Sequence, residues 1–315
     1  AGGRILAFQD LALRARRPLA HGRPVVPGRV CPFRRARWLV AGRPRKRDFD
    51  AAPPGLARCL WHVPLRPWQQ RARHDPTLLA VRGDALRRVH AVLHDTASRR
   101  IFASLVRARL EGDAGYFRIS PHREYGHPVV RARPGDVVVD AGAYDGDSAR
   151  RYAWQLRGRG RIVALEPSAA NYARLVRRRL PGVLPLCVGA WHRDEVLRFR
   201  EDGGSSRIVD AGETTIHVAP IDRLVRELGL PRVDLLKLDV EGAEAAALDG
   251  ADETLRRFRP KVQVSIYHRR EDLWALPLRL VEALPGYRWY LGHHGPWITE
   301  SDLYGMPEER LGAGG

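Results

Sequence analysis

Apolar positions along this chain change their period several times, and each change marks an element. Leu86, Val89, His90, Val92 and Leu93, then Ile101, Leu105, Val106 and Leu110, recur at three- and four-residue spacing, which predicts two helices broken near Asp95-Thr96. Either Asp95 or Thr96 is a suitable cap for the second. Its basic residues Arg99, Arg100, Arg107 and Arg109 are expected on the face toward water, and the two helices should pack on a sheet or cover a site. Residues 115–135, through Gly115-Tyr116-Phe117, His122, Tyr125, His127 and Pro128, keep no period and read as a loop-rich connection.

Beyond it, strand and helix patterns alternate. Val137-Val138-Val139-Asp140 runs as a strand into a turn holding Gly142 and Gly146, and the stretch from Ser148 to Leu156 carries Ala149, Tyr152, Ala153 and Leu156 at helical spacing. Arg161 to Leu165 predicts a second strand, stopped by Glu166-Pro167 before a helix from Ala169 to Arg179. A third strand spans Val183 to Val188 and ends at Gly189-Ala190-Trp191. Residues 194–220 hold short alternating pieces on either side of Gly203-Gly204-Ser205-Ser206, a hairpin-like pattern. Then come a helix (Ile221 to Leu228), a fourth strand (Val233 to Asp239), one helix from Glu241 to Phe258, a fifth strand (Lys261 to Tyr267) and a helix from Leu273 to Leu284. Tyr287 to Leu291 and Leu303-Tyr304 should close as an antiparallel pair. Short connections between strands and helices demand parallel pairing with right-handed crossovers. The expected fold is α/β: a doubly wound, mostly parallel sheet with helices ahead of it.

Charge alters this picture at one end only. The formal net charge is +18, yet residues 1–75 alone carry 17 Lys and Arg against 4 Asp and Glu, with 9 of the 23 prolines. Such composition predicts a basic, poorly ordered or loosely packed extension over 1–77, followed by a helical segment over 78–135, a main domain over 136–306 and a tail over 307–315. The remainder is close to balanced, so nucleic acid is not an expected partner of the folded part, although the arm by itself could grip it. Cys31, Cys59 and Cys187 stand far apart with no CxxC pair, which suits a reduced, cytoplasmic compartment and argues against a zinc site. No run approaches the roughly 18 to 20 continuous apolar residues of a membrane span. The chain opens at Ala1 and Met306 is its one methionine, as a piece of a longer chain would show.

The turn after the first strand is the richest in chemistry. In an open α/β sheet it lies at a strand's carboxyl end, where nucleotides bind. Asp140, Asp145 and Asp147 bracket it, and three carboxylates would repel a dinucleotide's pyrophosphate. They suit a cofactor that is itself cationic, and S-adenosylmethionine carries a sulfonium and an ammonium. Tyr144 also stands where the G-x-G-x-x-G pattern wants its second glycine. Glu166, 24 residues after Gly142, can accept both ribose hydroxyls; that feature fits a nicotinamide cofactor equally well. The plainer alternative is that Asp140 caps a turn and Glu166 ends a strand.

The segments Val139-Asp140-Ala141-Gly142-Ala143-Tyr144-Asp145-Gly146, Leu165-Glu166-Pro167, Leu236-Lys237-Leu238-Asp239-Val240-Glu241-Gly242-Ala243-Glu244, Ser265-Ile266-Tyr267-His268 and Tyr290-Leu291-Gly292-His293-His294 with Asp302-Leu303-Tyr304 together resemble the FkbM family of S-adenosylmethionine-dependent methyltransferases. The resemblance covers about residues 85–306. It implies a class I methyltransferase fold, with a seven-stranded sheet whose last strand is reversed, and methyl transfer, usually to a hydroxyl of a sugar or secondary metabolite. Gly292 stands where the family's pattern usually carries arginine. The expected cofactor set is Asp140, Gly142, Ala143, Tyr144, Gly146, Ser148, Glu166, Pro167 and Ala190, the cofactor S-adenosyl-L-methionine, and the partner a small-molecule or saccharide acceptor.

Methyl transfer from a sulfonium is an in-line displacement, so a protein must align the acceptor oxygen and help remove its proton. Strand alternation places Lys237 and Asp239 on one face. Asp239 then sits at a strand tip as base, as a residue orienting a histidine, or as a ligand to an ion; alternatively it forms a structural pair with Lys237 while Glu241 and Glu244 favour a helix start. His268, with its titration near neutrality, is the expected general base. His293 and His294 either line the acceptor pocket or sit in a solvated turn. Tyr267 and Trp274 either stack on a sugar or pack in the core. No three-ligand cluster of familiar spacing is legible, so no metal is expected. A nicotinamide-dependent oxidoreductase and a nucleic-acid-binding module using the basic arm are the rival readings.

Overall fold

The computed structural model describes residues 82–112, 114–200, 207–208, 214–295 and 297–311. The expected basic extension therefore lies outside the described residues. Two helices open the described chain, α1 (Gly83–Val92) and α2 (Thr96–Glu111). Asp95 caps α2, its Oδ1 accepting the Ser98 amide at 2.6 Å, and Gly112 ends it in the left-handed region at φ 65°, as helix ends favour. Helix α2 packs on the sheet, the Leu291 amide donating to Ser98 Oγ at 3.0 Å, and Leu93, just past α1, bridges to Trp289.

The main sheet follows in βα steps. In chain order they are β1 (Val137–Ala141), α3 (Asp147–Leu156), β2 (Arg161–Leu165), α4 (Ala169–Arg177), β3 (Val183–Leu186), then, past an insertion, β8 (Leu235–Leu238), α6 (Glu244–Asp249), α7 (Asp252–Phe258), β9 (Lys261–Ser265), α8 (Asp272–Ala283), β10 (Tyr287–His293) and β11 (Ser301–Pro307). The insertion holds β4 (Gly189–Ala190), β5 (Glu195–Arg200), β6 (Arg207–Ile208), β7 (Thr214–Ala219) and α5 (Ile221–Glu227). Strand order in the seven-stranded sheet is β10-β11-β9-β8-β1-β2-β3. Pairing is parallel from β3 to β9, and β11 runs antiparallel to both of its neighbours, the reversed strand that the resemblance implies. From β1 the chain winds outward through β2 and β3, then returns to β8 on the other side of β1. The order reverses between β1 and β8, and an open sheet binds its ligand at that crevice.

Burial explains why these segments are strands. Val138, Val139 and Ala141 in β1 and Leu235, Leu236 and Leu238 in β8 are all within 3 % of full burial, as strands covered by helices on both faces require. Each of these valine and leucine side chains contributes about 1.5–3 kcal/mol relative to an exposed one. Among the described residues no helix is long and apolar enough to cross a membrane.

The 194–220 stretch forms the expected antiparallel pair, β5 with β7, in a separate sheet of order β4-β7-β5-β6. Two expectations are corrected. The single helix expected over Glu241 to Phe258 is two, α6 and α7, split at Gly250-Ala251. Gly250 is wedged so that a Cβ there would come 1.9 Å from the Trp191 carbonyl oxygen, so the chain bends around that contact. Arg109, expected in water, is 7 % exposed; its guanidinium donates to the Leu105 and Ile298 carbonyls, each at 3.4 Å, and burial lowers its pKa to about 10.

Candidate functional site

At the carboxyl end of β1 the chain makes a turn that glycine alone can make. Gly142 has φ 81°, and a Cβ there would lie 1.8 Å from the Asp239 carbonyl oxygen. Gly142 and Ala143 both donate their amides to the Leu165 carbonyl at 2.9 Å, which pins the turn to the end of β2. Tyr144 continues at φ 52° and is 42 % exposed. Gly146, at φ 98°, opens α3. Ser148 Oγ donates to Asp140 Oδ2 at 2.7 Å, so the helix start is tied back to the strand.

Glu166 sits at the tip of β2. Burial raises its pKa, opposed by the bonds it accepts: Oε1 takes the Ser168 amide at 2.9 Å and Asn171 Nδ2 at 3.2 Å, and Oε2 takes the Tyr144 amide at 2.9 Å. A carboxylate has about four acceptor positions, so Oε2 retains one for an outside donor while the rest of the group staples the two loops together. Pro167 follows it and packs beside Gly189. Ala190, 3 % exposed, pairs with Ala219 in the second sheet and is part of the packed core beneath the crevice.

The acids of this turn, expected to be uncompensated, are paired. Asp140 Oδ1 lies 3.1 Å from Lys237 Nζ, both side chains being within 1 % of full burial. Arg178 reaches Asp145 at 2.7 Å and Asp147 at 3.1 Å. The turn therefore carries its own cations, one brought by β8 and one from the end of α4, and its acids do not by themselves select a cationic cofactor.

Asp239, immediately after β8, is where the remaining polar groups converge. Tyr125 Oη donates to its Oδ2 at 2.7 Å and Tyr267 Oη to its Oδ1 at 3.2 Å; Lys237 Nζ is 3.7 Å from Oδ2. Burial first, and then the Asp239 carboxylate, push both phenols well above their ordinary pKa, so they remain donors. Tyr125 was invisible as a site residue in the sequence. It belongs to the connection ahead of β1, is 4 % exposed, and its left-handed backbone (φ 56°) turns it inward; nothing in local periodicity marks it.

His268 is 8 % exposed in its side chain and faces three carboxylates. Nδ1 lies 2.8 Å from Glu244 Oε1, and Nε2 lies 3.5 Å from Asp239 Oδ1 and 3.4 Å from Glu241 Oε2. Burial depresses its pKa, but Glu244, Asp239 and Glu241 together outweigh burial and raise it to about 9. The sequence showed no ligand cluster, yet Asp239, Glu244 and His268 each bring a donor atom within 4.8 Å of the others. They come from the β8 tip, the start of α6 and the end of β9, a set that only strand order assembles.

The histidine pair is buried, not solvated: His293 is 0 % exposed, with Nδ1 2.9 Å from Ser301 Oγ, and His294 Nε2 is 2.9 Å from Tyr304 Oη. At Gly292 a Cβ would stand 2.6 Å from His294 Nε2, so these rings fill the space beside it. Trp274 packs in the core, while Tyr267 takes the polar role described above.

A sheet of this order with its polar residues at the β1/β8 switch point defines a class I methyltransferase fold. Residues 140–289, just under half of the chain, match the model of the methyltransferase FkbM domain. Over those residues the chain resembles an FkbM methyltransferase domain. It is 26 % identical over 187 residues to the 2-O-methyltransferase NoeI of Sinorhizobium fredii, covering 49 % of this chain and 73 % of that one. To the hexuronic acid methyltransferase AglP of Haloferax volcanii it is 27 % identical over 135 residues, 41 % of this chain and 55 % of that one. In fold it is similar to the FkbM methyltransferase of Methylobacillus flagellatus KT, with a TM-score of 0.63 at 23 % identity, over 73 % of this chain and 60 % of that one.

Proposed function

We propose that this protein moves the methyl group of S-adenosyl-L-methionine to a hydroxyl oxygen of a saccharide-type acceptor. The observation that carries the reading is the position of Asp239: its main chain touches Gly142 across the switch-point crevice, and its carboxylate is aimed by two tyrosines. The names of NoeI and AglP support the acceptor class. The site fits the cofactor in one further respect, the acceptor position that Glu166 Oε2 keeps for a ribose hydroxyl.

S-adenosylmethionine, when bound, supplies a methyl group on a cationic sulfur that leaves as a neutral thioether. Gly142 and Ala143 shape the turn against which it lies, Glu166 takes a ribose hydroxyl, and Asp239 receives the proton of the acceptor oxygen as that oxygen bonds to carbon. Tyr125 and Tyr267 hold the Asp239 carboxylate toward that oxygen, a positioning role that places reacting atoms in line.

Calorimetry with S-adenosylhomocysteine and with NADH, followed by assay of methyl transfer from labelled S-adenosylmethionine to uronic acids and neutral sugars, tests the reading. Binding of S-adenosylhomocysteine alone, with label appearing as a sugar ether, is expected. Binding of NADH alone overturns it.

A further inference from the structure

We infer that Asp239, Glu244 and His268 form a binding site for one divalent metal cation of mixed oxygen and nitrogen preference, with Mn²⁺ as the matching probe. Its role beside the acceptor, though not its binding, rests on the methyl transfer proposed above.

The donor set is a mixed one. Two carboxylates and an imidazole present one donor each within 4.8 Å of one another, and Glu241 Oε2 adds a third carboxylate 3.4 Å from His268 Nε2. An ion held at about 2.1 Å from each ligand keeps neighbouring ligands about 3–4 Å apart, a spacing that His268 Nε2 and Asp239 Oδ1, 3.5 Å from one another, already meet. Lys237, 3.7 Å from Asp239, is already engaged with Asp140 at 3.1 Å and donates to the Gly142 carbonyl at 2.7 Å.

A second observation points to a ligand. The Glu244 side chain is 1 % exposed, its Oε1 accepts the Val240 amide at 2.8 Å, and its Oε2 is buried without a hydrogen bond. Neither ring nitrogen of His268 makes an aligned hydrogen bond, although both face carboxylates. Buried polar atoms are normally satisfied, and a cation would take Glu244 Oε2 and one of the two ring nitrogens. Oxygen-rich sets with one imidazole suit Mn²⁺ better than the sulfur- and nitrogen-loving zinc. Hydroxyl oxygens of a sugar are hard ligands that could take its open positions, and a cation there would ease loss of the acceptor proton.

Titration of Mn²⁺ into the full chain, followed by the loss of the free-ion electron paramagnetic resonance signal, tests the site. One bound ion per chain is expected, with nitrogen modulation from a single imidazole in the pulsed spectrum. His268→Gln should remove the modulation and weaken binding tenfold to a hundredfold, a typical loss when a metal's surroundings are disturbed; Glu244→Gln should weaken it similarly, with melting curves confirming that each variant folds. If both variants fail to fold, the wild-type spectrum still decides. No binding at millimolar Mn²⁺, bound ion without nitrogen modulation, or affinity unchanged in a folded His268→Gln overturns the site. Calorimetry with S-adenosylhomocysteine on the same samples separates the two readings. Cofactor bound without Mn²⁺ removes the cation site alone, and Mn²⁺ bound without cofactor supports the cation site and removes the methyl-transfer reading.

Discussion

Two residues carry most of what the crevice can do, and they act through different parts of themselves. Gly142 contributes by lacking a side chain: at φ 81° with the Asp239 carbonyl oxygen 1.8 Å from any Cβ, Gly142→Ala should destabilise the fold by about 3 kcal/mol or more, read by urea unfolding, and abolish S-adenosylhomocysteine binding in calorimetry. Asp239 contributes its carboxylate. Asp239→Asn keeps the shape and one of the two acceptor oxygens that Tyr125 and Tyr267 use while losing proton affinity, so turnover should fall about 10²–10⁴-fold while S-adenosylhomocysteine affinity stays within a few-fold. Undiminished turnover would take Asp239 out of the chemistry. Both residues were legible in the sequence because each sits at a fixed step from a β-branched or apolar run. Tyr125 was not, since its hydrogen bond spans 114 residues of chain.

At the scale of elements, the link between β1 and β8 is ionic as well as apolar. Lys237 and Asp140 are both within 1 % of full burial, and removing one partner of a buried pair leaves the other charge uncompensated. Lys237→Met should therefore cost about 3–5 kcal/mol, with Asp140→Asn in the same chain recovering part of the loss. A double-mutant cycle by chemical denaturation measures the coupling, and strict additivity would show that the pair holds nothing. The pairing was half legible: alternation put Lys237 toward the crevice, but the sequence offered Asp239 as its partner, and only the register that sets Asp140 opposite Lys237 decided for Asp140. The break between α6 and α7 illustrates the same limit. Periodicity runs smoothly from Glu241 to Phe258, and the interruption comes from Trp191, which approaches Gly250 from the other sheet.

For the molecule as a whole, buried histidines set an acid limit. Burial, then the charge of His122, lowers His127 to about 4, and burial, then Arg109, lowers His293 to about 3. Both are neutral in the folded protein and protonate in the unfolded chain near their ordinary value of about 6.5. For these two rings the unfolded state thus binds more protons below that value, so the stability they contribute is complete above about pH 6.5 and declines as pH falls toward their folded pKa values. Each histidine should remove on the order of 1 kcal/mol per pH unit in that window. Thermal unfolding followed between pH 7 and pH 5 should show the decline, and His293→Asn should make it shallower. A flat profile would mean that these rings gain solvent before the chain unfolds.

By itself the sequence determined the element order, the parallel sheet and the glycine turn, because those follow from local spacing: β-branched runs, helical periods and residues that permit a left-handed backbone. It also placed Asp140, Glu166 and Asp239 at strand tips, since a strand's end is a local property. Tertiary structure decided everything that depends on which strand lies beside which. Lys237 neutralises Asp140, Arg178 neutralises Asp145 and Asp147, and Glu244 with Asp239 gathers around His268. Each converts a charge that looks free in the sequence into one with a partner, because Coulomb energy and desolvation depend on distance through space and burial, and neither is written in spacing along the chain.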